Sequence, residues 1–248
     1  MSALTDLGNA APTRPMLEVR GLQAWYGRAQ VLFGVDVRIA AGEVLALMGR
    51  NGAGKSTTIR AIMGLLDAIR GDIVFEGSRI EHLPAFRIAR LGIGYVPEDR
   101  RIFTDLTVLE NLETGRRPPR QGVPHWTVER VFELFPNLAR MPDRPGGQMS
   151  GGEQQMLSVA RTLMGNPRLL LLDEPSEGVA PVVVEQMADA VAALKAAGLS
   201  VLLSEQNLPF AAEVADRVCV LERGQLRFSG AMADLMADRG ARNAWLGV

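Results

Sequence analysis

The sequence is short of cysteine, histidine and lysine, and each shortage excludes something. A single cysteine, Cys219, rules out an intramolecular disulfide framework and a four-cysteine zinc site. Two histidines, His82 and His125, leave too little material for a histidine-rich metal centre. No run reaches the roughly 18 consecutive apolar residues of a membrane-crossing helix. Net charge is −1, from 27 basic and 28 acidic residues, which argues against a protein that holds nucleic acid by bulk positive charge. Residues 1–15 lack the basic and apolar regions of a secretory signal and are expected to form a frayed tail. The chain is therefore expected in the cytoplasm, with any membrane association made through partners. Of the 27 basic residues only two, Lys55 and Lys195, are lysines. Codon usage accounts for such a bias, but it makes any motif that demands lysine harder to reach by chance.

What is present is an ordinary globular balance: 248 residues, 47% apolar and 22% charged. That suits one large α/β domain, or one domain with a small subdomain. Leu17–Val19 and Val31–Ile39 alternate as strands do. Gly42 turns the chain into Glu43–Met48, a compact buried-strand pattern. A glycine-rich loop follows, and Thr57–Leu66 then carries Ile59, Ile62, Met63 and Leu66 at helical spacing. Gly92–Val96, Leu169–Leu172 and Leu199–Leu203 read as further strands, and Val183, Met187, Val191 and Leu194 as one helix face. Between Thr104 and about Pro167 the pattern is helical and broken by prolines, which predicts a mostly helical insert. Val218–Leu221 and Gln225–Phe228 flank Arg223-Gly224 as a hairpin.

Three motifs carry chemistry. Gly49-Arg50-Asn51-Gly52-Ala53-Gly54-Lys55-Ser56 fits the phosphate-loop pattern G-x-x-x-x-G-K-[ST] in full, between a strand and a helix. Its glycines let backbone N–H groups close on a phosphate, and the helix N-terminus adds partial positive charge. Lys55 can bridge two phosphates and the Ser56 hydroxyl can ligate Mg²⁺. Leu169–Leu172 ends in Asp173-Glu174, two carboxylates at the carboxyl end of a buried strand, where open parallel sheets place their ligands. Asp173 suits Mg²⁺ and Glu174 suits orienting an attacking water. Ser150-Gly151-Gly152-Glu153 opens an apolar helical stretch with capping-box spacing. It reads either as a helix cap alone or, through its two glycines, as a second anion cradle serving a second copy of the fold.

In this order and spacing, Gly49–Ser56, Ser150–Gln154 and Leu169–Glu174 resemble the ATP-binding cassette (ABC) ATPases. The resemblance spans about residues 16–240. It implies an α/β fold of the P-loop NTPase type: a RecA-like core, an N-terminal antiparallel β subdomain and a helical subdomain over about 104–166, with a tail at 241–248. It implies ATP and Mg²⁺ as cofactors and ATP hydrolysis coupled to transport. The nucleotide residues would be Tyr26, stacking on adenine with Trp25 as its rival, then Gly49, Arg50, Asn51, Gly52, Ala53, Gly54, Lys55, Ser56 and Thr57. Ser150, Gly151, Gly152 and Glu153 would meet a partner's nucleotide. Ser56, Asp173 and Glu98 would serve the metal, and Glu174, Gln206 and Glu98 catalysis.

Glu98 stands where the family commonly has glutamine, Gln206 where it has histidine, and Ala180 where the crossing loop Ser176–Ala180 has aspartate. Glu98 and Gln206, with Val96–Phe103 and Ser204–Asn207, are similar to the second ATPase subunit of branched-chain amino acid importers and their urea and amide relatives. The resemblance implies a homologous ATPase partner (a homodimer being the alternative), two permeases, and a periplasmic binding protein acting indirectly. It places the chain on the inner face of the plasma membrane and implies no nucleic acid. A soluble ABC ATPase of DNA repair or translation, or a non-hydrolysing regulatory cassette, is the alternative. Arg116–Arg120 is read as a solvated loop, His125 and Trp126 carry no assigned chemistry, His82 is read as surface, and Cys219 and Met141, Met149 and Met156 as packing residues.

Overall fold

The computed structural model describes residues 15–247, so the tail expected over 1–15 lies outside the described residues except for Pro15. β1 (Leu17–Tyr26) and β2 (Ala29–Ile39) pair antiparallel, and their inward residues Leu17, Val19, Leu22, Val35, Val37 and Ile39 are buried. β3 (Val44–Met48) is buried along its whole length, as befits a parallel strand covered on both faces. α1 (Lys55–Ile62) follows the glycine-rich loop, and β4 (Ala68–Phe75) with the short β5 (Ser78–Arg79) completes a four-stranded sheet in the order β2-β1-β4-β5. α2 (Ala85–Leu91) leads into β6 (Ile93–Val96).

The insert is helical: α3 (Val108–Gly115), α4 (Val128–Leu134), the short α5 (Pro136–Ala139) and α6 (Gly151–Leu163). The chain then returns to the core through β7 (Leu169–Asp173), α7 (Pro181–Ala196), β8 (Ser200–Glu205), α8 (Leu208–Val214), β9 (Arg217–Glu222) and β10 (Gln225–Ala231). It closes with α9 (Met232–Ala237) and α10 (Arg239–Trp245).

The second sheet has six strands in the order β10-β9-β3-β8-β7-β6, parallel except at β10. Alternate residues of β7 feed different cores. Leu170 and Leu172 join the side carrying α6 and α7, against Met156, Met187 and Val191. Leu169 and Leu171 join the side carrying α1 and the first sheet, against Ile59, Ile62 and Phe75. Register then sets the site: Met48 pairs with Glu205 and Asp173 with Ser204, so β3, β8 and β7 end in one row. The chain leaves these neighbouring strands at Gly49, Gln206 and Glu174.

Three expectations shift. α1 stops at Ile62, short of Leu66, because Gly64 turns left-handed (φ +63°) and the Gly64 and Leu65 amides bond back to Ala61 and Arg60. β4 spans 68–75, a stretch not expected as a strand; Arg70, Gly71 and Asp72 interrupt its apolar alternation. The chain past 240, expected as a tail, is helical through Trp245. Asp238 caps that helix by accepting from the Ala241 amide (2.9 Å), and the Trp245 ring lies 6.0 Å from that of Phe228.

Candidate functional site

The phosphate loop joins β3 to α1. Its first glycine is required by a close approach: a Cβ on Gly49 would meet the Leu221 carbonyl oxygen at 2.4 Å. α1 begins after Gly54, in a left-handed conformation, with no side-chain cap on its first amides. Those donors and the helix dipole suit an anion. Lys55, 3% exposed, bends back over the loop and donates to the carbonyl oxygens of Gly49 (2.7 Å) and Arg50 (3.3 Å). Its Nζ lies 3.1 Å from Oε1 of Glu174. The Ser56 hydroxyl donates to Oδ1 of Asp173 at 2.8 Å, so a hydroxyl and a carboxylate stand together as a hard-cation donor set.

Glu174 leaves β7 with φ +50°, a left-handed conformation that costs a non-glycine residue energy, and its amide still bonds to the Ser204 carbonyl (3.0 Å). The turn aims its carboxylate at Lys55 and at Gln206. Gln206 Nε2 donates to Oε2 of Glu174 (3.0 Å) and to Oδ1 of Asn51 (2.6 Å), tying the last strand's exit to the phosphate loop.

The carboxylates of this row are held in different states. Burial raises the Asp173 pKa, against the pull of the Ser56 hydroxyl. Burial acts the same way on Glu174, but hydrogen bonds from Glu177 and Gln206 and the Lys55 ammonium outweigh it and hold Glu174 below the usual range. Glu177 is the counterpart: its hydrogen bond to Glu174, with burial and the surrounding carboxylates, pushes it up to about 7. Glu205 is raised by burial, although its carboxylate accepts from the Ser176, Gln206 and Asn207 amides at 2.9, 3.1 and 3.2 Å.

Ser56 with Asp173, and Lys55 with Glu174, Gln206 and Asn51, thus form two bonded sets that the chain neighbours Lys55-Ser56 and Asp173-Glu174 hold together as one site. Glu98 reaches it only as a negative charge felt at Glu177. Tyr26 ends β1 and is 45% exposed, so it is no core aromatic; Trp25 beside it is half-buried and carries the Arg70 guanidinium 5.4 Å above its ring. Ser150, Gly151, Gly152 and Glu153 lie in the insert. Both halves of the capping box are made: the Glu153 amide donates to Ser150 Oγ (3.3 Å) and the Ser150 amide to Glu153 Oε2 (2.7 Å). Packing makes a demand on one of the glycines: a Cβ on Gly152 would meet Val183 Cγ2 at 2.5 Å, whereas one on Gly151 would meet only the movable end of the Arg100 side chain at 2.7 Å.

Two neighbours were not legible in the sequence. Tyr95, on β6, donates to Oδ2 of Asp173 at 3.4 Å, and burial with that carboxylate pushes its phenol up to about 12. Glu177 gives no local signal of its coupling to Glu174, since nothing in the spacing distinguishes it from a solvated turn residue.

The model of the family described as ABC transporter matches residues 32–177. The chain belongs to the ABC transporter family. As an ATP-binding cassette it takes ATP with Mg²⁺ and hydrolyses ATP. The cassette is 41% identical to the high-affinity branched-chain amino acid transport ATP-binding protein BraG of Pseudomonas aeruginosa, over 94% of this chain and all of that protein. It is 33% identical to the lipopolysaccharide export system ATP-binding protein LptB of Haemophilus influenzae, over 94% of this chain and 97% of that one. Among solved structures, the ADP conformation of the cassette MJ1267 superposes with a TM-score of 0.79 at 28% identity, covering 95% of this chain and all of that one. The expected architecture is the observed one: a RecA-like core, an N-terminal antiparallel β subdomain and a helical subdomain.

Proposed function

We propose that this cassette energises an importer of branched-chain amino acids, as one half of an ATPase pair docked on two permeases that a periplasmic binding protein supplies. The observation that carries this reading is the 41% identity to BraG along the whole of that protein. No described helix is long and apolar enough to cross a membrane, so attachment to the inner face of the plasma membrane would come through the permeases.

The site fits the roles. Gly49–Thr57 would cradle the phosphates with backbone N–H groups, and Tyr26 offers an exposed ring for adenine. Ser56 and Asp173 would hold Mg²⁺, with Glu98 as a further oxygen donor. Bound there, Mg²⁺ neutralises phosphate charge as it develops. Glu174 orients water and receives its proton, and Gln206 donates toward the γ-phosphate. Lys55 links binding to chemistry. While it faces Glu174 the carboxylate is tied; when it turns to phosphate, Glu174 is released toward water. Ser150–Glu153 of the homologous subunit would close on the nucleotide from the other side.

Lipopolysaccharide export is the second reading, supported by the LptB relatives. Deleting the gene and measuring uptake of labelled leucine separates the two. Loss of uptake, restored by the wild-type gene and not by a Glu174→Gln copy, is expected. Intact uptake with failing outer-membrane lipopolysaccharide would move the protein to the export class.

A further inference from the structure

The Arg223-Gly224 turn between β9 and β10 lies against the phosphate loop. Gln225 pairs with Glu222, so only these two residues link the strands. Both are left-handed, with φ +49° and +74°. A tight hairpin turn asks no more than that, and asparagine or aspartate also meets the demand. Gly224 is held to more. A Cβ there would stand 1.8 Å from the Val31 carbonyl oxygen and 2.8 Å from its carbonyl carbon, both backbone atoms of β2. No side chain fits, so the turn's closeness to β2, beyond its handedness, fixes this glycine.

That closeness serves two backbone hydrogen bonds. The Gly224 amide donates to the Ala53 carbonyl (2.8 Å), and the Phe33 amide donates to the Gly224 carbonyl (2.9 Å). One residue thus ties the phosphate loop to β2. A Cβ on Gly54 would stand 3.5 Å from Gly224 Cα, so the turn also lies along the next loop residue. The same hairpin bounds the start of the loop, where the Leu221 carbonyl oxygen faces Gly49. The Ala53–Gly54 peptide is trans, and in a planar trans peptide C=O and N–H point in opposite directions. Holding the Ala53 oxygen toward the hairpin therefore turns the Gly54 N–H away from it. Among the described residues that N–H donates to no backbone carbonyl. It stands directly before the uncapped first amides of α1.

We infer that Gly224 is a positioning residue for the nucleotide: through the Ala53 carbonyl it presets the Gly54 N–H as a donor to a phosphate oxygen of ADP or ATP. This rests on the reading of Gly49–Ser56 as the phosphate cradle. A donor fixed in advance loses little freedom when the anion arrives. The donor serves substrate and product phosphates alike, so its loss weakens binding and leaves the chemical step alone. The bond from Phe33 anchors the turn to β2, which keeps the turn in place when the loop moves.

The test reads affinity of the full chain for fluorescent ADP, and KM and kcat for ATP with the homologous subunit present. Gly224→Ala should weaken ADP binding by about tenfold or more and raise KM with kcat held. A chain assembled by joining residues 1–218 to a synthetic segment 219–248 at Cys219 tests the bond without adding a side chain, and decides the matter if Gly224→Ala does not fold. In it an ester oxygen replaces the Gly224 N–H. Against an all-amide chain joined in the same way, it should bind ADP about threefold to tenfold more weakly. Gly198→Ala is the control for backbone strain alone. Gly198 is left-handed too (φ +86°), with open space where a Cβ would go, before the end of β8 remote from the loop. That variant should lower the melting temperature and keep ADP affinity. Unchanged ADP affinity in the ester chain would overturn the inference. So would a fall in kcat with KM unmoved, or an equal loss of affinity in Gly198→Ala. Lys55→Ala is read beside them. Wild-type ADP affinity there sinks the phosphate cradle itself, whereas lost affinity there with an unaffected ester chain sinks only the inference about Gly224.

Discussion

Nζ of Lys55 stands 3.1 Å from Oε1 of Glu174, with both side chains nearly sealed from solvent. The phosphate loop and the end of β7 are thus locked by one buried ion pair. Removing one partner strands the other's charge, which costs about 3–5 kcal/mol. Lys55→Ala is expected to lose ATP binding and to lower stability by an amount of that order. Glu174→Gln keeps shape and a polar contact to Lys55, so it should bind ATP at near wild-type affinity while turnover falls by about a hundredfold or more. Nucleotide binding by fluorescence and phosphate release, both with the homologous subunit present, decide the matter. Unchanged hydrolysis in Glu174→Gln would remove Glu174 from its role.

The two carboxyls of the Glu174–Glu177 pair make stability depend on pH in opposite senses. Glu177, pushed up from 4.5 to about 7, keeps its proton in the folded chain where an unfolded glutamate has lost it. The stabilisation it gives is complete below 4.5 and is lost as pH rises through about 7. Glu174 is held low, so its contribution is present above the ordinary value and is lost as pH falls through its own folded value. Glu177→Gln keeps the hydrogen bond and removes the titration. Its melting temperature should therefore vary less than that of the wild type between about pH 5 and about pH 8. Its rate profile should lose an inflection near neutrality. Curves parallel to those of the wild type would show that the two carboxyls are not coupled.

The sequence made the parts of this site legible and left their connections hidden. Gly49–Ser56 was readable because a phosphate loop needs glycine and lysine at fixed positions. Leu169–Glu174 was readable because a fully buried parallel strand is apolar until it ends. The bridge from Gln206 to Asn51 and Glu174 spans separations of 155 and 32 residues, and sheet register alone brings it about. Tyr95 reaches Asp173 for the same reason, since β6 lies beside β7. α10 was hidden because Ala241 and Trp245 gain from helical spacing only once β10 presents Phe228.

Gln206 offers a way to separate positioning from binding. Its amide holds Glu174 and Asn51 together, at 3.0 and 2.6 Å. Gln206→Ala should lower kcat by about tenfold to a hundredfold with a smaller change in the KM for ATP, because the lost contact orients the carboxylate. Gln206→Glu should be worse, since it sets another carboxylate against Glu174. Initial rates over a range of ATP concentrations, measured with the homologous subunit, separate the two constants. Equal activity of the Glu and Ala variants would deny the contact to Glu174 its electrostatic part.

Gly152 has two possible reasons to be glycine, and one cycle of variants distinguishes them. A methyl group there would stand 2.5 Å from Val183 Cγ2, well inside contact distance, so α6 would be forced away from α7. Overpacking of this kind costs about 1–3 kcal/mol, partly offset by the better helix propensity of alanine. Gly152→Ala should therefore lower the urea midpoint. Val183→Ala in the same chain should restore it, with a coupling of about 1 kcal/mol or more between the sites. ATP turnover of the double variant then answers the second question. If turnover returns with stability, packing against Val183 is the whole demand on Gly152. If stability returns and turnover does not, the missing side chain is needed where the homologous subunit's nucleotide approaches, and Ser150–Glu153 is an anion cradle as well as a helix cap.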